Sequence, residues 1–335
     1  MFSRINKRSS FVWRLPRCAL AILAVASMVS IAHAPPLGEV IITDGASPGF
    51  CRDVGRRLSD VINVLHTACL DTSDFTATGY EVASSLLAKV QMENAAFTHR
   101  TKLLRRPDSL WEVRDVRVRV AMGDTPGTPY QYLVFVLTQK GLIDDMRFSV
   151  ERWQYRDLNT QGEQLRDWPL RQRILNFLEI YRTAYNRKDL AFMRQVYSDN
   201  ALIIVGRVLR EQRNVSTVSD MIKTTKWSNQ RIAYLRLSRE QYLDRLTAIF
   251  QNNAFVRVEF DSIRVERHTQ YSNIYGVELR QQWYSSTYAD TGYVFLMMDF
   301  DNAEQPLIRV RCWQPERFDD GTIPSIYDFK IVDNR

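Results

Sequence analysis

The chain has 335 residues, of which 45% are hydrophobic and 25% charged, a composition typical of folded globular proteins. Its formal net charge is +7, but five of its 45 basic residues lie in the first 17 positions, namely Arg4, Lys7, Arg8, Arg14 and Arg17. The remaining 40 basic residues face 38 acidic ones, a net charge of +2. A nearly neutral folded part gives no electrostatic basis for binding a polyanion, so we predict no nucleic-acid partner.

The first 34 residues have the pattern of a secretory signal. A basic leader runs into the apolar stretch CALAILAVASMVSIAHA, residues 18–34, which ends in the small-x-small triplet Ala32-His33-Ala34. This run is shorter than the roughly 20 apolar residues that a membrane-spanning helix needs. We predict a signal peptide, cleaved after Ala34 or Ala26, or an uncleaved N-terminal anchor, because Pro35 disfavours the first cut. The protein is therefore expected to be exported, with a periplasmic or cell-envelope location and no other membrane contact.

Residues 38–151 predict an abbreviated α+β domain. Val54, Leu58 and Val61 share one face of a helix, and a second helix follows the polar break at 71–74. Strand patterns come next, of which Tyr132 to Leu137 is apolar on both faces and is expected to be central in its sheet.

Residues 170–335 repeat this plan after a polar segment, 152–169, that we interpret as a linker. At a shift of about 162 positions, Tyr80 corresponds to Tyr242 and the strand at Tyr132 to the strand at Tyr293. The N-terminal domain would then be a degenerate repeat of the C-terminal one. Two unrelated antiparallel α+β domains would show part of the same order, so both interpretations stay open.

The stretch from Ile174 to Gly206 carries a family resemblance. Tyr181, Ala184-Tyr185-Asn186, Asp189 and Ser198-Asp199-Asn200-Ala201 mark two helices that meet at a polar turn and lead into an apolar strand. With the excursion at 207–236, a capped helix at Ser238 and four later strands, the segment resembles the nuclear transport factor 2-like superfamily. The resemblance implies an α+β cone, in which helices close a curved antiparallel sheet. That superfamily includes isomerases, dehydratases and cyclases as well as binding modules without chemistry, and its catalytic residues differ between branches.

A second resemblance covers the whole chain. The segments TAYNRKDL, ALIIVGR, NIYGV and RCWQP occur here as in a group of exported two-domain proteins of gut Bacteroidetes, to which no activity is generally assigned. This resemblance implies a periplasmic or surface-associated bacterial protein.

Two carboxylates are weak candidates for acid–base catalysis in a cone pocket. Asp299 ends the strand Tyr293–Met298 and shares a strand face with Tyr293, while Asp199 lies where the helix pair enters the sheet. A carboxyl group in an apolar cavity has a raised pKa and can then exchange protons near neutral pH. The alternative interpretation of both residues is an ordinary polar position in a turn or loop.

Aromatic residues indicate where a ligand would bind. The expected pocket residues belong to elements that enclose the cavity of this fold: Tyr181, Tyr185, Trp283, Tyr293 and Trp313. Large rings with polar tips suit an apolar or aromatic small molecule, although such residues are also common in plain cores. Arg309 and Arg311 alternate with apolar residues and are expected to point away from the core, toward solvent or a second subunit. A homodimer through the open sheet face is therefore a further expectation.

Other chemistry has no support in the sequence. The histidines His33, His66, His99 and His268 lack metal-ligand spacing, and there is no phosphate-binding glycine loop, so we predict neither a metal nor a cofactor. Our first hypothesis is an exported, non-catalytic binding or assembly protein. The alternative is an isomerase, dehydratase or cyclase that uses a carboxylate in the C-terminal cone.

Overall fold

A computed structural model describes residues 37–331, except for 95, 107, 122–127, 151–167, 209–231 and 304. The predicted signal or anchor at 1–34, most of the linker and most of the excursion lie outside the described residues. The described part is α+β in class, as predicted, with five helices and three sheets. None of those helices is long and apolar enough to cross a membrane.

The N-terminal half consists of two capped helices and short sheets. Ser47 caps the first helix by accepting a hydrogen bond from Phe50 N at 3.4 Å, and Thr76 caps the second through Gly79 N at 3.0 Å. The elements are β1 (Glu39–Ile42), α1 (Pro48–Val64), α2 (Ala77–Leu87), β2 (Met92–Glu93), β3 (Thr98–Thr101), β4 (Leu104–Arg105), β5 (Trp111–Val120), β6 (Tyr130–Leu137) and β7 (Ile143–Phe148). The main sheet has the order β2-β5-β6-β7 with β4 on β5, and β1 pairs in parallel with β3.

The C-terminal half has the predicted order of helix, helix, strand, helix and four strands, but part of the predicted excursion at 207–236 is an additional strand that pairs with the first one. Its elements are α3 (Trp168–Arg187), α4 (Leu190–Val196), β8 (Tyr197–Val208), β9 (Ile232–Leu237), α5 (Arg239–Asn252), β10 (Val256–Arg267), β11 (Ile274–Ser285), β12 (Ala289–Asp299) and β13 (Leu307–Gln314). They form a six-stranded sheet of order β10-β11-β12-β13-β8-β9, in which only the β13–β8 pair is parallel. Helix α3 begins at Trp168, inside the predicted linker. The strands β11 to β13 follow one another as β5 to β7 do, while the repeat and the domain boundaries stay predictions.

This sheet is covered on both faces. On one face, which we call the cone face, Val294, Leu296 and Met298 of β12 pack in the same core as helices α3 and α5. On the opposite or outer face, Phe295 and Met297 pack in a second core with Phe318, Ile326 and Phe329 of the chain's C-terminal segment. The outer face expected to be open is thus partly covered by the chain itself, and the homodimer stays a prediction.

A β-bulge in β13 reverses the face of the sheet on which each later side chain of this strand lies. Met298 pairs with Ile308, but Met297 pairs with Val310, so Arg309 is an extra residue in β13. Ile308 consequently lies on the cone face, whereas Val310 and Cys312 lie on the outer face. Arg311 is therefore directed into the cone and is only 5% exposed. The expectation that Arg311 points away from the core is wrong, because regular alternation from Ile308 ignores the bulge.

Helix α3 joins the two large sheets. Thr183 Oγ1 accepts a hydrogen bond from Phe148 N of β7 at 3.0 Å, and Asn186 Oδ1 accepts one from Val258 N of β10 at 2.7 Å. Arg182 donates to Val258 O at 2.8 Å. Since β7 and β10 are edge strands, these side chains satisfy backbone groups that a neighbouring strand would otherwise pair.

Candidate functional site

A cavity of about 510 Å³ opens on the cone face between helix α5 and the strands β11 to β13. We call it the cone pocket. Its walls include Trp283 and Trp313, and the polar side chains that reach it include Tyr242, Gln281, Asp290 and Arg311. Mostly apolar walls with a few convergent polar groups are typical of a small-molecule site, and the volume lies within the usual range of roughly 300–1,000 Å³.

Arg311 supplies a buried positive charge at this pocket. One guanidinium nitrogen, Nη2, donates to Gln281 Oε1 at 3.4 Å, and the group lies over the Tyr242 ring, 5.3 Å from its centroid. Its Nε has no hydrogen-bond partner, and among the described residues no carboxylate approaches the guanidinium within 4.0 Å. Arginine stays protonated even when buried, so the pocket contains a cation without a direct counter-ion.

Four tyrosines form a hydrogen-bonded chain beneath the pocket. The hydroxyl of Tyr181 lies 2.5 Å from that of Tyr197 and 2.8 Å from that of Tyr185, and Tyr185 in turn lies 2.6 Å from Tyr242. Burial raises the pKa of all four phenols, so they remain protonated and neutral. Tyr242, at one end of the chain, is the member that lines the pocket.

Asp290 supplies a carboxylate at the same pocket. Its Oδ2 accepts a hydrogen bond from Tyr288 Oη at 2.7 Å, whereas its buried Oδ1 has no partner among the described residues. Burial raises the pKa of Asp290 above its ordinary value, although the Tyr288 hydroxyl and the charge of Arg311 act in the opposite direction. Burial and the hydrogen bond to Asp290 raise the pKa of Tyr288 to about 12. The pair therefore presents a polar group that can hold or exchange a proton.

The β11–β12 hairpin places Asp290 and Tyr288 at the pocket. Asn253, directly after α5, accepts hydrogen bonds from Thr287 N at 3.1 Å and from Thr287 Oγ1 at 2.7 Å. This amide fixes the hairpin turn against the end of the helix. In β12 itself, Asp290 pairs with Trp283 and lies on the same strand face as Val294, which directs its carboxylate into the cone.

The two predicted carboxylates lie elsewhere. Asp299 is buried on the outer face, where it accepts hydrogen bonds from Arg309 Nε at 2.6 Å, Asn273 Nδ2 at 2.9 Å and Asp301 N at 2.9 Å. The Asp199 side chain is 93% exposed and pairs with Arg239. Neither lines the cone pocket, since the strand face predicted for Asp299 is the outer one and Asp199 lies in an exposed position.

The predicted aromatic residues are divided between three locations. Trp283 and Trp313 line the pocket. Tyr181 and Tyr185 are fully buried beneath it in the tyrosine chain. Tyr293 lies on the outer face, where the Arg317 guanidinium covers its ring at 4.6 Å, so it does not contribute to the pocket.

Sequence reasoning did not identify Asp290, Arg311, Gln281 or Tyr242 as site residues. Alternation along β12 does put Asp290 in line with Val294 and Leu296, but the face that forms the cone was not known. Tyr242 was visible only as a member of the apolar stripe of α5.

No protein-family model matches the chain, and no curated protein matches it. Among solved structures, it is similar to Bd1075 of Bdellovibrio bacteriovorus, with 12% identity and a TM-score of 0.32 over 52% of this chain and 46% of that one. It is also similar to naphthalene 1,2-dioxygenase with indole bound in the active site (6% identity, TM-score 0.35, 50% of this chain and 89% of that one). A third is a nuclear transport factor 2-like protein of unknown function from Shewanella oneidensis (14% identity, TM-score 0.29, 42% of this chain and 96% of that one).

The order of helices and strands in the C-terminal half agrees with the α+β cone that the sequence predicted. The solved structures named above include an enzyme and a protein of unknown function. None of them supports the resemblance to exported Bacteroidetes proteins, which stays a prediction.

Proposed function

We propose that the chain is an exported binding protein whose cone pocket holds a small molecule with an apolar body. The observation that carries the proposal is a cavity of about 510 Å³ lined by two tryptophans, with polar groups whose hydrogen-bonding capacity is not used by the described part of the chain. Buried polar atoms without partners are rare in folded proteins and are costly unless another molecule satisfies them. Export is proposed from the basic and apolar leader alone.

Titration calorimetry of the full chain with 2-naphthamide, a neutral aromatic probe, tests this function. Ile249 lines the pocket and is 40% exposed, so Ile249→Trp narrows the opening with little effect on the core. Leu235, 41% exposed and outside the pocket, gives the matched control Leu235→Trp. We expect saturable binding that Ile249→Trp weakens about tenfold, the effect of roughly 1.4 kcal/mol. If the wild type binds no probe, or if both variants bind equally well, the cone pocket is not the site.

A second candidate function is acid–base catalysis of the isomerase, dehydratase or cyclase type. It is favoured by the raised pKa of Asp290 together with the Tyr288 hydroxyl 2.7 Å from its carboxylate. This geometry offers a proton acceptor and a hydrogen-bond donor at one end of an apolar cavity.

Proton exchange tests this candidate without knowledge of the natural substrate. The exchange of the acidic α-protons of 2-tetralone in D₂O, followed by NMR, is expected to be faster with the wild type than in buffer. Asp290→Asn is expected to return the rate to that of buffer, while the exposed Asp199→Asn leaves it unchanged. Equal rates with the wild type and with Asp290→Asn would remove the catalytic candidate and leave the binding function standing.

A further inference from the structure

The cone pocket contains the positive charge of Arg311, which forms no ion pair with the described residues. Arg311 is 5% exposed, and its neighbours are the Gln281 amide, the Tyr242 ring and the neutral tyrosine chain. Removing a guanidinium from water is energetically costly unless charge and hydrogen bonds replace the lost hydration. A single amide contact at 3.4 Å and a ring face replace only part of it.

Asp290 is the nearest candidate for an internal counter-ion, and it does not take that role. Burial raises the pKa of Asp290 and the charge of Arg311 acts to lower it, yet the two groups form no ion pair within 4.0 Å. Instead, one of its oxygens is bonded to Tyr288 and the other has no partner in the described part of the chain. The two groups thus line one cavity without forming an ion pair with each other.

We propose that Arg311 binds an anionic group, so that the ligand of the cone pocket is an organic acid with an aromatic-sized apolar body. This inference rests on the proposed binding function and names its ligand class. The planar guanidinium fork matches a carboxylate, and the unpartnered Nε is one of the donors available for it. The tryptophan walls then contact the apolar body.

The two arginines of β13 provide a matched pair. Arg309 is the bulge residue and is paired with Asp299 on the outer face, whereas Arg311 faces the pocket and pairs with no carboxylate of the described residues within 4.0 Å. They are two residues apart on one strand, so Arg309→Gln changes the same net charge as Arg311→Gln but leaves the pocket untouched. Asp290→Asn adds a test of opposite sign, because it removes a negative charge from the same cavity.

The experiment compares 2-naphthoate with its neutral isostere 2-naphthamide, by titration calorimetry of the full chain at pH 7.5 and low salt. A charge-assisted hydrogen bond in a desolvated site predicts that the wild type binds 2-naphthoate about 10- to 100-fold more tightly than the amide. Arg311→Gln is expected to reduce this preference to about twofold or less, and Arg309→Gln to preserve it. Asp290→Asn is expected to tighten naphthoate binding and so to increase the preference for the naphthoate over the amide.

The outcomes separate this inference from the proposed function. Equal affinity of the wild type for both probes overturns the organic-acid inference but leaves the binding function standing. Absence of binding for both probes overturns both. If Arg311→Gln does not fold, Arg311→Lys keeps the charge and loses the fork, and it must still prefer the naphthoate. Preference that survives in Arg311→Gln would place the anion site elsewhere and refute the assignment.

Discussion

Glu179 of helix α3 is the buried carboxylate at the junction of the two large sheets. It is fully buried and accepts hydrogen bonds from Arg114 Nη1 at 3.2 Å, Arg147 Nε at 3.2 Å and Val150 N at 3.0 Å. Both arginines are themselves at most 5% exposed. Neutralising one partner of such a group costs about 3–5 kcal/mol, because the remaining charges stay desolvated.

Glu112 reduces the loss of stability that is expected when Glu179 is neutralised. Its carboxylate lies 2.9 Å from Arg114 and 3.4 Å from Arg147, so both arginines retain a counter-ion when Glu179 is neutralised, and Arg147 also keeps its pair with Asp145. We therefore expect Glu179→Gln to lose about 3 kcal/mol of the free energy of unfolding, the lower end of that range. This is a large part of the 5–15 kcal/mol that is typical of folded proteins, and it is measurable by equilibrium denaturation in guanidinium chloride.

An exposed ion pair gives the control for this measurement. Glu240 lies 2.9 Å from Arg194, and both side chains are more than half exposed, so Glu240→Gln is expected to lose less than about 1 kcal/mol. The double variant Glu179→Gln with Arg147→Met should lose less than the sum of the single changes, because it also removes a buried cation. A loss for Glu179→Gln no larger than the control would refute the reasoning, since it would mean that the arginines at the junction need no buried counter-ion.

Three further predictions follow from single residues. Because the pKa of Asp290 is raised, its contribution to stability is present below the pKa that it has in the unfolded chain and is lost as the pH rises. Asp290→Asn should therefore unfold at a higher denaturant concentration than the wild type at pH 7.5. This gain should disappear near pH 4. Burial and then the charge of Arg117 lower the pKa of His99 to about 4, so the wild type should lose stability as the pH falls from 7 to 4, with a shallower slope in His99→Gln. A Cβ at Gly79 in α2 would lie 2.1 Å from Ile143 O, so Gly79→Ala should reduce the free energy of unfolding by about 1–3 kcal/mol. At Gly49 in α1 a Cβ would meet no atom within 4 Å, so Gly49→Ala should be neutral or slightly stabilising.

The pH predictions would fail in distinguishable ways. An unchanged midpoint of Asp290→Asn at pH 7.5 would mean that the carboxylate is fully hydrated in the folded chain. An acid-unfolding slope that His99→Gln does not alter would mean that other groups dominate the loss of stability.

Local patterns in the sequence were sufficient for the order of elements in the C-terminal half, apart from β9. Ser238 and Gln241 form the predicted capping box at the start of α5, and Tyr242, Leu243 and Leu246 of its apolar stripe are buried. These features depend on residues within one or two helical turns of each other, so a single sequence contains the information that specifies them.

The candidate site depended on information of a different kind. Both faces of β12 are apolar, so alternation alone could not tell which face forms the cone, and Asp299 was named as a candidate although it lies on the outer face. One extra residue in β13 then reversed the expectation for Arg311. A bulge arises from pairing with a neighbouring strand, and pairing is not written in the strand's own alternation.

By itself, the sequence determined the helices, most of the strands and the fold class, because propensities, caps and apolar periodicity act over short distances. Only the tertiary structure decided that the C-terminal segment covers the outer face, that the bulge directs Arg311 inward, and that Asp290 shares its cavity. These outcomes depend on contacts between residues far apart in the chain, whose burial and charge are fixed only when all the elements pack together.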